Sequence, residues 1–177
     1  MSEDSRREVR TGLDPCLARL WRYGLVLSGA GDVAEVLVHS TYKRAIERAD
    51  QFVPGSRLDR WLFAILRSIW LSEIRPQSIG ETDRDAAAWS AGIIDGAPKV
   101  SILNFEVLTA LNRLTAEERE AALLVYGEGY SYADAARAVG SPVGLVLTRL
   151  TAARSTLSKL KGETLFHPRK VIHVWLR

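Results

Sequence analysis

The sequence predicts an all-α protein made of two small helical domains joined by an acidic linker, the C-terminal one containing a helix-turn-helix. Three observations carry that prediction. Apolar residues recur at helical spacing from Leu13 to Arg75 and again from Ser101 onward. Between these stretches, residues 76–98 hold Gly80, Gly92, Gly96 and Pro98, with Glu81, Asp83, Asp85 and Asp95 against Arg84 alone. Near the end, Ser131 and the Ser141-Pro142 pair each open a short periodic stretch, one on either side of Gly140.

Composition is compatible with this division. The chain has 177 residues, 47% apolar and 25% charged, which suits one ordinary domain or two small ones. That balance argues against wholesale disorder, a collagen-like repeat or a Cys-dense secreted scaffold. Cys16 is the single cysteine and has no internal partner for a disulfide; it reads as a small buried apolar residue. With no ligand-spaced His or second Cys, neither a metal nor any other cofactor is expected. No apolar run approaches the roughly 20 residues needed to span a bilayer, so no membrane insertion is expected. Residues 1–12 mix Glu3, Asp4 and Glu8 with Arg6, Arg7 and Arg10 and lack the apolar core of a secretory signal. They read as a disordered, solvated tail, and a reducing cytoplasm is the expected compartment.

The first domain is expected over residues 13–75. Its periodicity breaks at Gly29 to Asp32 and at Val53-Pro54-Gly55-Ser56, which makes three helices. The third begins at Leu58 and puts Leu58, Trp61, Leu62, Ile65, Leu66 and Ile69 on one stripe. Burying six such side chains contributes on the order of 10 kcal/mol before entropy is subtracted. Pro76 ends that helix, because the residue before a proline is pushed out of the helical region. Residues 76–100 are then the linker, whose apolar parts are Ala86 to Trp89 and Ile93-Ile94.

The second domain is expected over 101–162. Phe105, Leu108 and Leu111 resume the helical spacing. Thr115, with Glu118 three residues on, forms a capping box that starts the next helix, whose inner face is Ala121, Leu124 and Val125. Gly127 and Gly129 stop it. Ser131 caps a short helix over Tyr132 to Val139, Gly140-Ser141 turns the chain, and Pro142 sits where a first-turn proline is tolerated. A last helix runs through Val143, Val146, Leu150 and Leu157 to Leu160. Residues 163–177 form a tail whose stretch from Phe166 to Arg177 has three basic residues and no acid, and in which Pro168 prevents simple continuation of that helix.

Net charge is only +3, with a pI near 9.2, so its distribution matters more than its sum. From Ser141 to Lys161 there are four basic residues, Arg149, Arg154, Lys159 and Lys161, and no acid. From Asn104 to Tyr130 there are five acids against two arginines. Two short helices about a tight glycine turn, with positive potential on the second, fit a helix-turn-helix whose second helix lies in the major groove. An αα-hairpin with a solvated basic face fits the same spacing.

Longer motifs narrow the choice. Leu114-Thr115-Ala116-Glu117-Glu118-Arg119-Glu120, Gly129-Tyr130-Ser131-Tyr132-Ala133-Asp134-Ala135-Ala136 and Gly140-Ser141-Pro142-Val143-Gly144, followed by Arg149-Leu150 and Ala153-Arg154, resemble the C-terminal promoter-reading domain of extracytoplasmic-function (ECF) sigma factors. Asp32 to Phe52, then Pro54-Gly55-Ser56-Arg57-Leu58-Asp59-Arg60-Trp61-Leu62-Phe63-Ala64-Ile65-Leu66-Arg67, is similar to the N-terminal domain of the same family. Ile69-Trp70-Leu71-Ser72-Glu73-Ile74-Arg75 and Tyr130-Ser131-Tyr132 look closest to the general-stress subfamily called EcfG-like.

The resemblance implies a transcription-initiation factor for stress or environmental response that binds core RNA polymerase through its clamp and flap, binds promoter DNA, and is held by an anti-sigma factor. It implies a core-binding helix with Glu35, His39, Tyr42 and Lys43. It implies a minus-10 strand-binding surface from the loop Phe52 to Leu58 and the helix after it, with Arg57, Arg60, Arg67, Ser68 and Trp70. Melting needs aromatic or basic side chains for the exposed strand, and this stretch supplies them. Ser141, Val143, Gly144, Thr148, Arg149 and Arg154 would meet the minus-35 element. Trp61, by contrast, lies on the apolar stripe and belongs to the core.

Some positions depart from the family pattern. Val36, His39 and Ser40 stand where members commonly have an acidic residue and a Gln-Glu pair, and Leu147 and Ala152 stand where Lys and Arg are common. Pro76-Gln77-Ser78 replaces a basic cluster. These changes keep open a sigma-like decoy that binds an anti-sigma factor or polymerase without efficient promoter recognition, although this length leaves no room for the receiver domain such decoys carry. A stand-alone helix-turn-helix repressor is the third reading, and it leaves the N-terminal match unexplained. An enzyme is not expected, because no phosphate loop, nucleophile–base pair or paired-carboxylate site is present.

Overall fold

The computed structural model describes residues 2–75, Leu111 and residues 113–158. The linker over 76–100, Lys159, Lys161 and the tail over 163–177 lie outside the described residues. The chain separates into two compact units, Met1–Asp95 and Gly96–Arg177. Among the described residues no helix is long and apolar enough to cross a membrane.

The first unit opens with α1 (Ser2–Ser28), so residues 2–12 are helical where the sequence predicts a tail. Burial explains the difference. Ser5, Val9, Leu13, Cys16, Leu20 and Tyr23 form one buried stripe at helical spacing, with Val9 and Leu13 fully covered, while Arg6, Arg7, Arg10 and Asp14 between them are exposed. Ser28 and Gly29 end the helix. The Ser28 hydroxyl accepts from the Ala30 N–H at 3.2 Å, and Gly29 adopts a left-handed backbone with φ 74°.

α2 (Gly31–Glu47) packs along α1, burying Ala34, Leu37, Thr41 and Ala45. The Thr41 hydroxyl donates to the Leu37 carbonyl at 2.7 Å, so its polar atom is satisfied inside the core. The approach is close at Gly24, where a Cβ would lie 3.2 Å from the Ala34 Cα. A 3-10 turn (Ala49–Gln51) and the exposed loop from Val53 lead into α3 (Leu58–Ile69), which packs on α1 and α2.

On α3, Leu62, Ile65, Leu66 and Ile69 are buried as the stripe predicts. Phe63 and Asp59 join them, while Trp61 and Leu58 are only half-buried. Phe63 stacks 4.8 Å from Tyr23, and Trp61 lies 5.3 Å from the ring of Phe52. Trp61 therefore covers the loop's anchor instead of filling the centre. A wide π turn (Trp70–Ile74) continues α3, tied back to α2 by a 2.6 Å ion pair between Arg44 and Glu73.

In the second unit, α4 (Ala116–Ala122) starts at the predicted capping box: the Glu118 N–H donates to the Thr115 hydroxyl at 3.2 Å, and the Thr115 N–H to the Glu118 carboxylate at 3.0 Å. A π turn (Leu123–Gly127) follows, and Gly129 turns the chain with φ 68°. α5 (Tyr132–Val139) is capped by Ser131, whose hydroxyl accepts from the Asp134 N–H at 3.1 Å. α6 (Val143–Ser158) lays Val146, Leu150 and Ala153 against α4 and α5, where Ala121, Leu124, Ala135 and Val139 complete the core. Val125 is half-buried, at the edge of the face predicted for it.

Candidate nucleic-acid interface

The second unit presents α5, a tight turn and α6. Gly140 takes the left-handed conformation, φ 64° and ψ 38°, which lets the Ser141 N–H reach the Ala136 carbonyl at 3.0 Å and close the end of α5. The Pro142 carbonyl then accepts from the Leu145 N–H at 3.0 Å and begins α6. Local chemistry thus sets the bend between the two helices. With Val146, Leu150 and Ala153 turned inward, the opposite face of α6 carries Gly144, Thr148, Thr151 and Ser155, all exposed.

Each predicted minus-35 residue has a definite place. Val143 is 41% exposed, Gly144 and Thr148 are exposed, and Ser141 and Arg149 are half-buried. A Cβ on Gly144 would meet nothing within 4 Å, so the backbone there is open to a close approach. Thr148 and Thr151 donate to the Gly144 and Leu147 carbonyls at 3.0 and 2.9 Å, each hydroxyl engaged by its own helix. Arg154 is exposed, but its guanidinium rests 5.1 Å from the centre of the Tyr126 ring. Burial pushes the Tyr126 hydroxyl pKa up, and the Arg154 charge opposes that shift without cancelling it. Leu145 and Leu147, each 42% exposed, give the outward side of α6 an aliphatic component that a charge-based reading of the sequence passes over.

In the first unit, Glu35, His39 and Lys43 are exposed and Tyr42 is half-buried. Their spacing puts them on one side of α2, together with Val36, which is 55% exposed. Around α3, Ser68 is exposed, Arg60, Arg67 and Trp70 are half-buried, and Arg57 is exposed at the end of the loop. Arg57 nevertheless makes two hydrogen bonds to the Asp59 carboxylate, at 3.0 and 2.6 Å. Arg19 of α1 donates to the same carboxylate at 2.9 Å. Burial alone would raise the Asp59 pKa, but the two guanidinium hydrogen bonds and their charges outweigh it and hold the carboxyl well below the usual carboxylate range. Arg19 and Asp59 are absent from the predicted site; no spacing rule links residues so far apart in the chain.

Comparisons agree with this geometry. Residues 104–157 match the family described as Sigma-70, region 4. The chain is 38% identical over 153 residues to "ECF RNA polymerase sigma factor EcfG" of Rhodopseudomonas palustris (strain TIE-1), covering 86% of this chain and 84% of the relative. It is 37% identical over 141 residues to "ECF RNA polymerase sigma factor SigC" of Mycobacterium tuberculosis (strain CDC 1551 / Oshkosh), covering 78% and 75%. Its fold is similar to the sigma factor RpoE of Bartonella quintana, solved in complex with the anti-sigma factor NepR, with TM-score 0.67, 31% identity and coverage of 87% and 96%. With this likeness running through most of both relatives and both units, the chain belongs to the ECF RNA polymerase sigma factor family.

Proposed function

We propose that this sigma factor directs core RNA polymerase to its promoters with a division of labour between the two units. The outward side of α2, with Glu35, His39, Tyr42 and Lys43, docks on core polymerase. The loop from Val53 to Arg57 and the start of α3 take the unpaired minus-10 strand, with Arg60, Arg67, Ser68 and Trp70 beside it. α6 enters the minus-35 major groove, where Val143 and Gly144 approach base edges and Arg149 and Arg154 meet phosphate. The observation that carries this reading is the capped α5–Gly140–α6 turn leading into a helix without an acidic residue. A partner like NepR, which is bound to the structural relative from Bartonella quintana, is the inhibitor class this proposal implies.

The aliphatic side of α6 favours a second reading, a decoy that occupies an anti-sigma factor and reads promoters poorly. Footprinting of open complexes separates the two. Under the first, alanine at Arg149 weakens minus-35 protection, and alanine at Trp70 leaves that protection intact while reducing minus-10 opening. Under the second, neither region is protected on any promoter although the chain binds core polymerase or an anti-sigma factor.

A further inference from the structure

The helix face that replaces the predicted tail runs beside the strand-binding loop in matching order. The Ser5 hydroxyl, 2% exposed, donates to the Phe52 carbonyl at 2.9 Å. The Glu8 carboxylate accepts from the Gly55 N–H at 3.1 Å. Gly12 lies so near Leu58 that an added Cβ would sit 2.3 Å from its Cδ2, and Arg19 reaches Asp59. Positions 5, 8, 12 and 19 lie on one side of α1, and they meet positions 52, 55, 58 and 59 in turn.

The loop itself offers little internal support. Ser56 folds back on Val53, its N–H donating to the Val53 carbonyl at 3.1 Å and its hydroxyl at 2.7 Å. Gly55 takes φ +77° with open space around it, so crowding does not hold that conformation in place. Val53 is 68% exposed, a shape suited to insertion beside an unstacked base. A capture loop of this kind works only if its backbone is fixed before the strand arrives, since ordering it afterwards would cost binding energy.

We propose that the first turns of α1 are a strut that presets the loop for strand capture, with Ser5 and Glu8 as positioning residues. This rests on the reading that the loop takes the minus-10 strand. Glu8 serves as a hydrogen-bond acceptor; its charge is no help beside a polyanion. An acceptor without charge should therefore suffice.

The test uses full-length chain assembled with core polymerase. The probe is a fluorescent single-stranded DNA of the minus-10 region from a promoter that the holoenzyme selects out of a random pool. Glu8→Ala and Ser5→Ala should each weaken strand binding roughly three- to ten-fold, the range expected for losing one supporting hydrogen bond. Glu8→Gln should bind at least as tightly as the wild type. Affinity for core polymerase should not change in any of them. Strand binding by Glu8→Ala equal to wild type, or equal losses in Glu8→Ala and Glu8→Gln, would overturn the strut. Val53→Asp, which places an acid at the loop tip, tests the underlying reading: if it too binds strand normally, the loop is not the capture element.

Discussion

Arg19 of α1 and Asp59 at the start of α3 form a 2.9 Å ion pair that Arg57 completes from the other side at 2.6 Å. One buried carboxylate thus joins the first helix, the loop end and the third helix. Its charge is offset by two guanidinium groups that also satisfy its oxygens, the arrangement a buried anion requires.

Asp59→Asn should lower the stability of the first unit by about 2 kcal/mol at pH 7, the scale of a charge-assisted hydrogen bond. Because the folded pKa is depressed below the ordinary 3.8, the stabilisation is complete above about pH 4 and fades as pH falls from there toward the folded value. Urea titrations of both proteins at pH 7 and near pH 3 check this. The gap between wild type and variant should shrink at the lower pH; a gap independent of pH would show that the carboxylate charge contributes nothing.

The Thr115→Ala substitution removes the side-chain half of a capping box. Stability of the second unit should fall by about 1 kcal/mol, with Thr115→Ser close to wild type. Thermal unfolding of the variants gives the comparison.

Gly140 has a left-handed backbone and open space where a Cβ would stand. Gly140→Ala should therefore cost about 1 kcal/mol through backbone strain alone, and Gly140→Asn less, since Asn visits that region more readily. If DNA binding falls with stability along this series, the bend between α5 and α6 is what the groove reads.

Arg149→Ala should reduce the slope of log binding constant against log salt by about 0.9, the share of one phosphate, for duplex carrying the minus-35 element. Arg154 has a second attachment. Its guanidinium over Tyr126 means that Tyr126→Leu should weaken duplex binding in the same direction as Arg154→Ala, whereas Tyr126→Phe, which keeps the ring face, should not. Anisotropy titrations over a salt series measure all four.

Local chemistry made much of this fold legible. The Thr115–Glu118 box, the Ser131 cap and the Gly140 turn are written within a few residues of chain, and the structure has each of them in place. The start of α1 was not legible in the same way. Residues 2–12 are mostly polar and carry charges of both signs, so only the burial of Ser5 and Val9 against the rest of the unit reveals three further turns. Trp61 illustrates the same limit from the other side: its place on the apolar stripe suggested the core, but Phe63 and Asp59 take up the contact with α1. At the candidate interface, the family resemblance named Gly144, Thr148 and Arg149 for the minus-35 element, yet nothing in the sequence could reveal that Arg57 is engaged by Asp59 or that Arg154 leans on Tyr126. Those are long-range pairings, set by packing.

Under the proposed function, this chain gives core RNA polymerase promoter selectivity through α6 and strand capture through the loop before α3. Run-off transcription with purified core polymerase, on fragments covering the genome of origin, tests it most directly. Discrete transcripts that require the chain, that weaken with Arg149→Ala and that recover for Trp70→Ala on templates already unpaired at minus-10 are the predicted result. Tight binding to core polymerase with no chain-dependent transcript from any fragment would contradict the claim.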